Sequence, residues 1–196
     1  MASMEPVHRL MESAVGQGIF PGAVLLVAQG YTVLFKRAYG YADLFSGRAM
    51  AEDTFFDLAS LTKPLATALA VMALMRQGRL DLDASCVLAC PELAGTDKAG
   101  VTPRQLLTHC SGLPPWRPYF MHLRKLPVSE RLAGLRRCVR NEPLVCAPGE
   151  RSDYSDLGFM MLRWVIERIG GKWLDHFVRA EIFDPIGLTN LFFIDS

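Results

Sequence analysis

Apolar positions at helical spacing open the chain. Val7, Leu10, Met11, Ala14 and Val15 share one stripe of a 3.6-residue period, with Gly16 and Gly18 behind them. That pattern predicts a helix over residues 6–17 with a glycine stop. The pattern then changes. Ala23–Ala28 is a continuous apolar run, Thr32–Ala38 is mixed, and Gly30 stands between them. The pair is expected to form an antiparallel hairpin packed on the first helix. Residues 39–53, with Gly40, Gly47 and several polar side chains, are expected to be a connecting loop.

From Ala59 onward the pattern is helical. Ser60–Gln77 is expected to be one helix closed by Gly78. Thr102–Thr108 reads as a short helix, with Thr102 as N-cap and Pro103 at the first helical position. Ser129–Arg140 follows with Ser129 as candidate cap, then Leu157–Ile169 ended by Gly170 and Gly171, then Trp173–Ile182. Sheet elements come first and helices after, without a βαβ rhythm. The expected fold class is therefore α+β, not a doubly wound parallel sheet. The expected organisation is an N-terminal helix and hairpin over 1–57, a helical subdomain over 58–182, and a return toward the sheet over 183–196. Two strands are marginal in water. A new apolar run, Leu191–Ile194, begins as the chain ends, so an incomplete antiparallel sheet is expected, with unpaired edges open to self-association.

Composition narrows the function classes. Of 196 residues, 51% are hydrophobic and 21% charged, which is globular and not disordered. A formal charge of +1 gives no reason to expect a nucleic-acid partner. The arginine-rich stretch Arg131–Arg140 is expected to be a solvated helix face. No run of 18 apolar residues predicts a membrane span; the longest, Pro64–Met75, suits a buried helix. The first residues lack the pattern of a signal peptide, and the five cysteines are odd in number and unpatterned. Free thiols in a reducing cytoplasm are the expectation. Cys86 and Cys90 have no matching second pair, which disfavours zinc. Nothing calls for a cofactor.

Candidate chemistry sits in two places. Ser60 and Lys63 are three residues apart, so a helix puts them on one face. A serine at a helix start lies in the positive end of the macrodipole, and a lysine among apolar neighbours is disfavoured in its charged form. Together they read as nucleophile and proton acceptor. A capping serine beside a surface lysine is the plain alternative. The second place is Pro148–Gly158, where Tyr154 stands at a loop-to-helix junction from which a side chain can reach a cleft. A tyrosine becomes a useful base only beside a cation that stabilises its phenolate. Lys63 would supply that cation. The plain alternative for Tyr154 is an aromatic wedge before a helix.

The segments Phe56–Pro64, Gly78–Asp83, Thr102–Pro114, Pro148–Gly149 and Tyr154–Asp156 resemble the serine beta-lactamase-related family, which comprises class C beta-lactamases, D-alanyl-D-alanine peptidases and esterases. The resemblance covers residues from about Phe20 to the end. It implies a beta-lactamase/penicillin-binding-protein-like fold, Ser60 as acylated nucleophile, Lys63 sharing its proton transfer, and Tyr154 as second base. It also places His109 in a structural motif, against a catalytic role for residues 109–111. Two features depart from the family. Asp156 stands where the family has asparagine, at the substrate-binding edge; a carboxylate only accepts hydrogen bonds, and it is expected to pair with Lys63 and keep it charged. The family's third motif, of Lys-Thr-Gly or His-x-Gly type, has no counterpart within the 196 residues.

The expected function is a serine hydrolase forming an acyl-enzyme on an ester, amide or β-lactam, with a small-molecule or peptide-like acyl substrate. The competing reading is a non-catalytic relative that serves as a binding domain, and a third supplies the missing strands from another chain. An α/β-hydrolase lacks its Gly-x-Ser-x-Gly elbow here. A dinucleotide site fails because Gly16-Gln17-Gly18 ends a helix.

Overall fold

Helix α1 covers Glu5–Gly16, and strands β1 (Gly22–Gln29), β2 (Thr32–Asp43) and β3 (Arg48–Ala49) follow in a computed structural model that describes residues 3–194. The sheet order is β1-β2-β3, antiparallel throughout. Gly30, at φ +57°, turns β1 into β2, and the pairing closes at Gln29–Thr32. A register shift between Val27 and Ala28 marks a bulge. The helix and sheet meet at Tyr39, which is buried and whose hydroxyl lies 3.3 Å from His8 Nδ1. Strand β2 runs further than the sequence predicts, and β3 falls inside the expected loop. A two-residue strand carries no periodicity, and the chain reaches it through a turn in which Asp43 accepts from the Phe45 amide and the Ser46 hydroxyl.

The chain divides into two units between Asp57 and Leu58. The second contains α2 (Leu69–Arg76), α3 (Pro103–Leu107), α4 (Phe120–Leu123), α5 (Val128–Asn141), α6 (Asp156–Gly170) and α7 (Leu174–Val178). Its core is built on α6: Leu157, Met161, Leu162, Val165 and Ile166 are all buried, against Val71 and Leu74 of α2, Leu106 of α3 and Phe177 of α7. Ser155 caps α6 by accepting from the Gly158 amide, and Gly171 ends it in the left-handed conformation at φ +72°. The capping box at α3 forms as its sequence implies, with Thr102 and Gln105 exchanging side-chain and backbone bonds.

Four expectations are corrected. The single helix Ser60–Gln77 is instead a 3₁₀ turn over Ala59–Leu61, a π-helical turn over Lys63–Ala68, and then α2. Pro64 has no amide to offer the Ser60 carbonyl, so an α-helical ladder cannot start there. Ser129 is inside α5 and not its cap; Pro127 precedes the helix with no side-chain capping bond. The predicted helix Trp173–Ile182 is α-helical only over α7 and continues as a π-helical turn, Arg179–Phe183. Nor is the arginine stretch of α5 wholly solvated. Arg136 turns inward to Glu167 at 3.0 Å, and Arg140 donates to the Glu92 carbonyl at 2.6 Å.

One feature of the helical unit sets up the chemistry. Residues 149–156 are strapped along residues 108–115. The Gly149 amide donates to Cys110 O at 2.7 Å, the Asp153 amide to His109 O at 2.9 Å, and the Asp156 amide to Pro115 O at 2.8 Å. Gly112, at φ +77°, lets the chain just before the strap pass close by: a Cβ there would stand 2.2 Å from Cys146 O. The strap fixes where the segment before α6 can point its side chains.

Candidate active site

Ser60 lies in the 3₁₀ turn, three residues before Lys63, which is the first residue of the π-helical turn. The turn brings Lys63 Nζ to 3.0 Å from Ser60 Oγ. From the far side of the sequence, the strap delivers Tyr154, whose hydroxyl donates to Ser60 Oγ at 2.7 Å. Asp156, the first residue of α6, accepts from Lys63 Nζ at 2.6 Å through Oδ1. So all four residues singled out in the sequence meet, across 93 positions between Lys63 and Asp156. They do so without the α-helical start the sequence implied for Ser60, whose positioning comes from the tight turn and not from a helix dipole.

Charge is distributed unequally within this cluster. Burial alone pulls the Lys63 ammonium toward neutrality, but the Asp156 carboxylate and then Tyr154 outweigh it, and the net pKa of Lys63 is raised. Tyr154 moves the other way. The Lys63 ammonium beside it, and next its bond to Ser60, hold the phenol below its usual 10.0. Lys63 Nζ also lies 4.9 Å from the Tyr154 ring centroid and 5.6 Å from that of Phe159. Two groups with neighbouring ordinary pKa values are thus pushed apart. Each shift favours the charged form of its group, the ammonium of Lys63 and the phenolate of Tyr154.

A cavity of ≈ 480 Å³ opens over the cluster, lined by Ser60, Lys63, His109, Tyr154, Leu107 and Phe159 among others. Its walls are mostly apolar, with the polar groups converging on Ser60 Oγ, as small-molecule sites generally are. Leu107 and Phe159 were not legible as site residues: both read as ordinary core positions of apolar helices. Phe159 does lie three residues after Asp156, so the helical face of α6 that carries the carboxylate carries the ring as well.

Backbone strain gathers at the same place. Among the described residues, the non-glycine positions with positive φ are Ala59 (+44°) and His109 (+58°). One immediately precedes Ser60. The other stacks on Tyr154, with ring centroids 4.5 Å apart. Each such residue costs about 1–2 kcal/mol relative to ordinary backbone, and such positions cluster at functional sites. Away from the site, Cys86 and Cys90 are buried free thiols, their pKa values pushed up to about 12 by burial. Among the described residues no helix is long and apolar enough to cross a membrane.

Comparison with known proteins places the chain in a family. The chain is 36% identical to "Esterase EstB" of Burkholderia gladioli over 95% of its own length and 50% of that protein. It is 29% identical to a "Putative D-alanyl-D-alanine carboxypeptidase" of Escherichia coli (strain K12), covering 89% of this chain and 43% of that one. Among solved structures it superposes on "EstCE1, a hydrolase with promiscuous acyltransferase activity" with a TM-score of 0.81 and 27% identity, over 94% of this chain and 51% of that one. The chain spans about half the length of the curated relatives it matches. The family model described as Beta-lactamase matches residues 7–196, and the chain belongs to that family.

Proposed function

We propose that this member of the Beta-lactamase family is a serine hydrolase that works through an acyl-enzyme on Ser60, with an ester as the preferred substrate class and amides and β-lactams as chemically related ones. The observation that carries the reading is the convergence on Ser60 Oγ of Lys63 Nζ at 3.0 Å and Tyr154 OH at 2.7 Å. The resemblance to a protein named as an esterase supports the choice of ester.

The steps follow from the charge distribution. Tyr154, as phenolate, takes the Ser60 hydroxyl proton while Oγ attacks the substrate carbonyl. The tetrahedral intermediate collapses as the Tyr154 phenol returns that proton to the leaving oxygen, giving the ester of Ser60. Water then enters, Tyr154 takes its proton as the water oxygen adds to the acyl carbonyl, and the Tyr154 phenol gives that proton to Ser60 Oγ as the bond to Oγ breaks and the acid is released. Lys63 stays an ammonium throughout. Its work is electrostatic: it stabilises the phenolate and orients Ser60 Oγ, while Asp156 holds it in place and charged. The apolar walls of Leu107 and Phe159 suit an acyl chain beside the carbonyl.

Hydrolysis of p-nitrophenyl butyrate by the chain and by Ser60→Ala tests this. Turnover above the buffer rate that disappears in Ser60→Ala is the expected result. Turnover retained in Ser60→Ala, or none in a chain that melts cooperatively, rejects it.

A further inference from the structure

His109 holds Tyr154 from both sides. Its backbone carbonyl accepts the Asp153 amide at 2.9 Å, and its ring Nδ1 accepts the Ser155 amide at 3.0 Å. The two residues flanking Tyr154 are thus bound to one residue. The imidazole itself lies against the Tyr154 ring at 4.5 Å and the Phe159 ring at 5.2 Å between centroids. Next to it, the Ser152 hydroxyl donates to Thr108 O at 3.1 Å. His109 reaches this position only in the left-handed conformation, at φ +58°.

A ring nitrogen that accepts an amide proton carries no proton of its own, so the clamp exists only while His109 is neutral, with its proton on Nε2. We propose that His109 is the positioning residue of Tyr154 and the acid-side switch of the site: neutral, it brackets the tyrosine against Ser60; protonated, its Nδ1 becomes a donor facing the Ser155 amide, and the bracket opens. This rests on the reading of Tyr154 as the base of a serine hydrolase.

The groups around the ring decide the sign. Lys63 faces it as a cation, Asp156 as an anion, and the Tyr154 phenol as a neutral group at rest. Burial first, and then the Lys63 charge, lower the His109 pKa below 6.5, and Asp156 opposes this with smaller effect; the Ser155 amide, donated to an unprotonated Nδ1, favours the neutral ring as burial does. The native state therefore favours neutral imidazole. Its contribution to stability is full above the unfolded value of about 6.5 and is lost as pH falls through the lowered native value.

Two measurements test the proposal. In the first, the logarithm of kcat/KM for p-nitrophenyl butyrate is followed from pH 8 downward. Titration of Tyr154 alone gives a slope of one; protonation of His109 steepens it to two once the pH falls below the native His109 pKa, which lies under 6.5. His109→Leu, which has no acceptor, is expected to lower kcat on the order of 100-fold, the scale of a misplaced catalytic group. His109→Asn restores most of that loss relative to leucine, because its side-chain oxygen can take the place of Nδ1 and asparagine tolerates positive φ. In the asparagine variant the slope stays at one. A slope of two persisting in His109→Asn, or a His109→Leu variant as active as wild type, overturns the proposal.

The second measurement needs no turnover. Nitrogen-15 NMR of the full chain reads the His109 tautomer, and the Tyr154 ring signals are followed through the same titration. Nδ1 without a proton at pH 7.5, and Tyr154 signals shifting at the His109 midpoint, are expected. Tyr154 signals indifferent to that midpoint overturn the clamp even if the chain hydrolyses esters. If no hydrolysis occurs but the signals move together, the clamp stands and the hydrolase reading falls.

Discussion

Replacing Asp156 with asparagine separates the two charges that the site keeps apart. The substitution is nearly isosteric, so it removes the anion and leaves the shape. Lys63 and Asp156 are 2.6 Å apart, with side chains 16% and 35% exposed. A hydrogen bond to a charged group contributes about 1.5–3 kcal/mol, and partial solvation places this pair near the lower end. The Lys63 pKa is expected to fall, because burial then acts with less opposition. Tyr154 responds in the same direction but less. The Asp156 charge is the weakest of the influences on it and raises its pKa, so losing that charge lowers it slightly. The sign is therefore fixed for both limbs of the rate profile. The alkaline limb, where Lys63 loses its proton, moves to lower pH; the acid limb, where Tyr154 gains one, moves the same way by a smaller amount. The bell narrows. The assay is the second-order rate of Ser60 labelling by a fluorophosphonate between pH 6 and 11, which reads the attack of Ser60 Oγ without a deacylation step. An alkaline limb that stays in place or moves upward would refute the assignment of Lys63 as a carboxylate-held ammonium.

Other substitutions probe separate links. Tyr154→Phe removes the base while leaving a ring against His109, and a loss of kcat of about 100- to 10,000-fold is expected. Because Tyr154 is 52% exposed, its thermal melting point should hardly change, which circular dichroism checks. Gly112→Ala attacks the close passage of Cys146 that leads into the strap. A Cβ 2.2 Å from Cys146 O on a backbone at φ +77° is expected to cost at least about 2 kcal/mol in urea unfolding. Gly171→Ala, also left-handed but with nothing within 4 Å of its Cβ, is the control and should cost only about 1 kcal/mol.

What the sequence disclosed follows from how local each cause is. Helices α1 and α6 were legible because a 3.6-residue stripe and a terminal glycine are written in adjacent residues. The break at Pro64 was legible in principle, since a proline without an amide cannot extend an α-helical ladder from Ser60, yet its apolar surroundings favoured one long helix. Strand β3 was not legible, because two residues have no period. At the site, the residue types of Ser60, Lys63, Tyr154 and Asp156 carried their own chemistry, and the pairing of Lys63 with Asp156 follows from charge once they are brought together. The role of His109 was hidden for a different reason. It depends on a left-handed backbone and on hydrogen bonds to residues 44 and 46 positions away, neither of which has a sequence signature.

The central claim is that Ser60 becomes acylated with Tyr154 as its base. Its most direct test is intact-protein mass spectrometry after treatment with a fluorophosphonate at pH 8.5, followed by peptide mapping. One adduct per chain, located on Ser60, absent in Ser60→Ala and formed at least 100-fold more slowly in Tyr154→Phe, is the predicted result. An adduct on another residue, or one that forms at the wild-type rate in Tyr154→Phe, contradicts it.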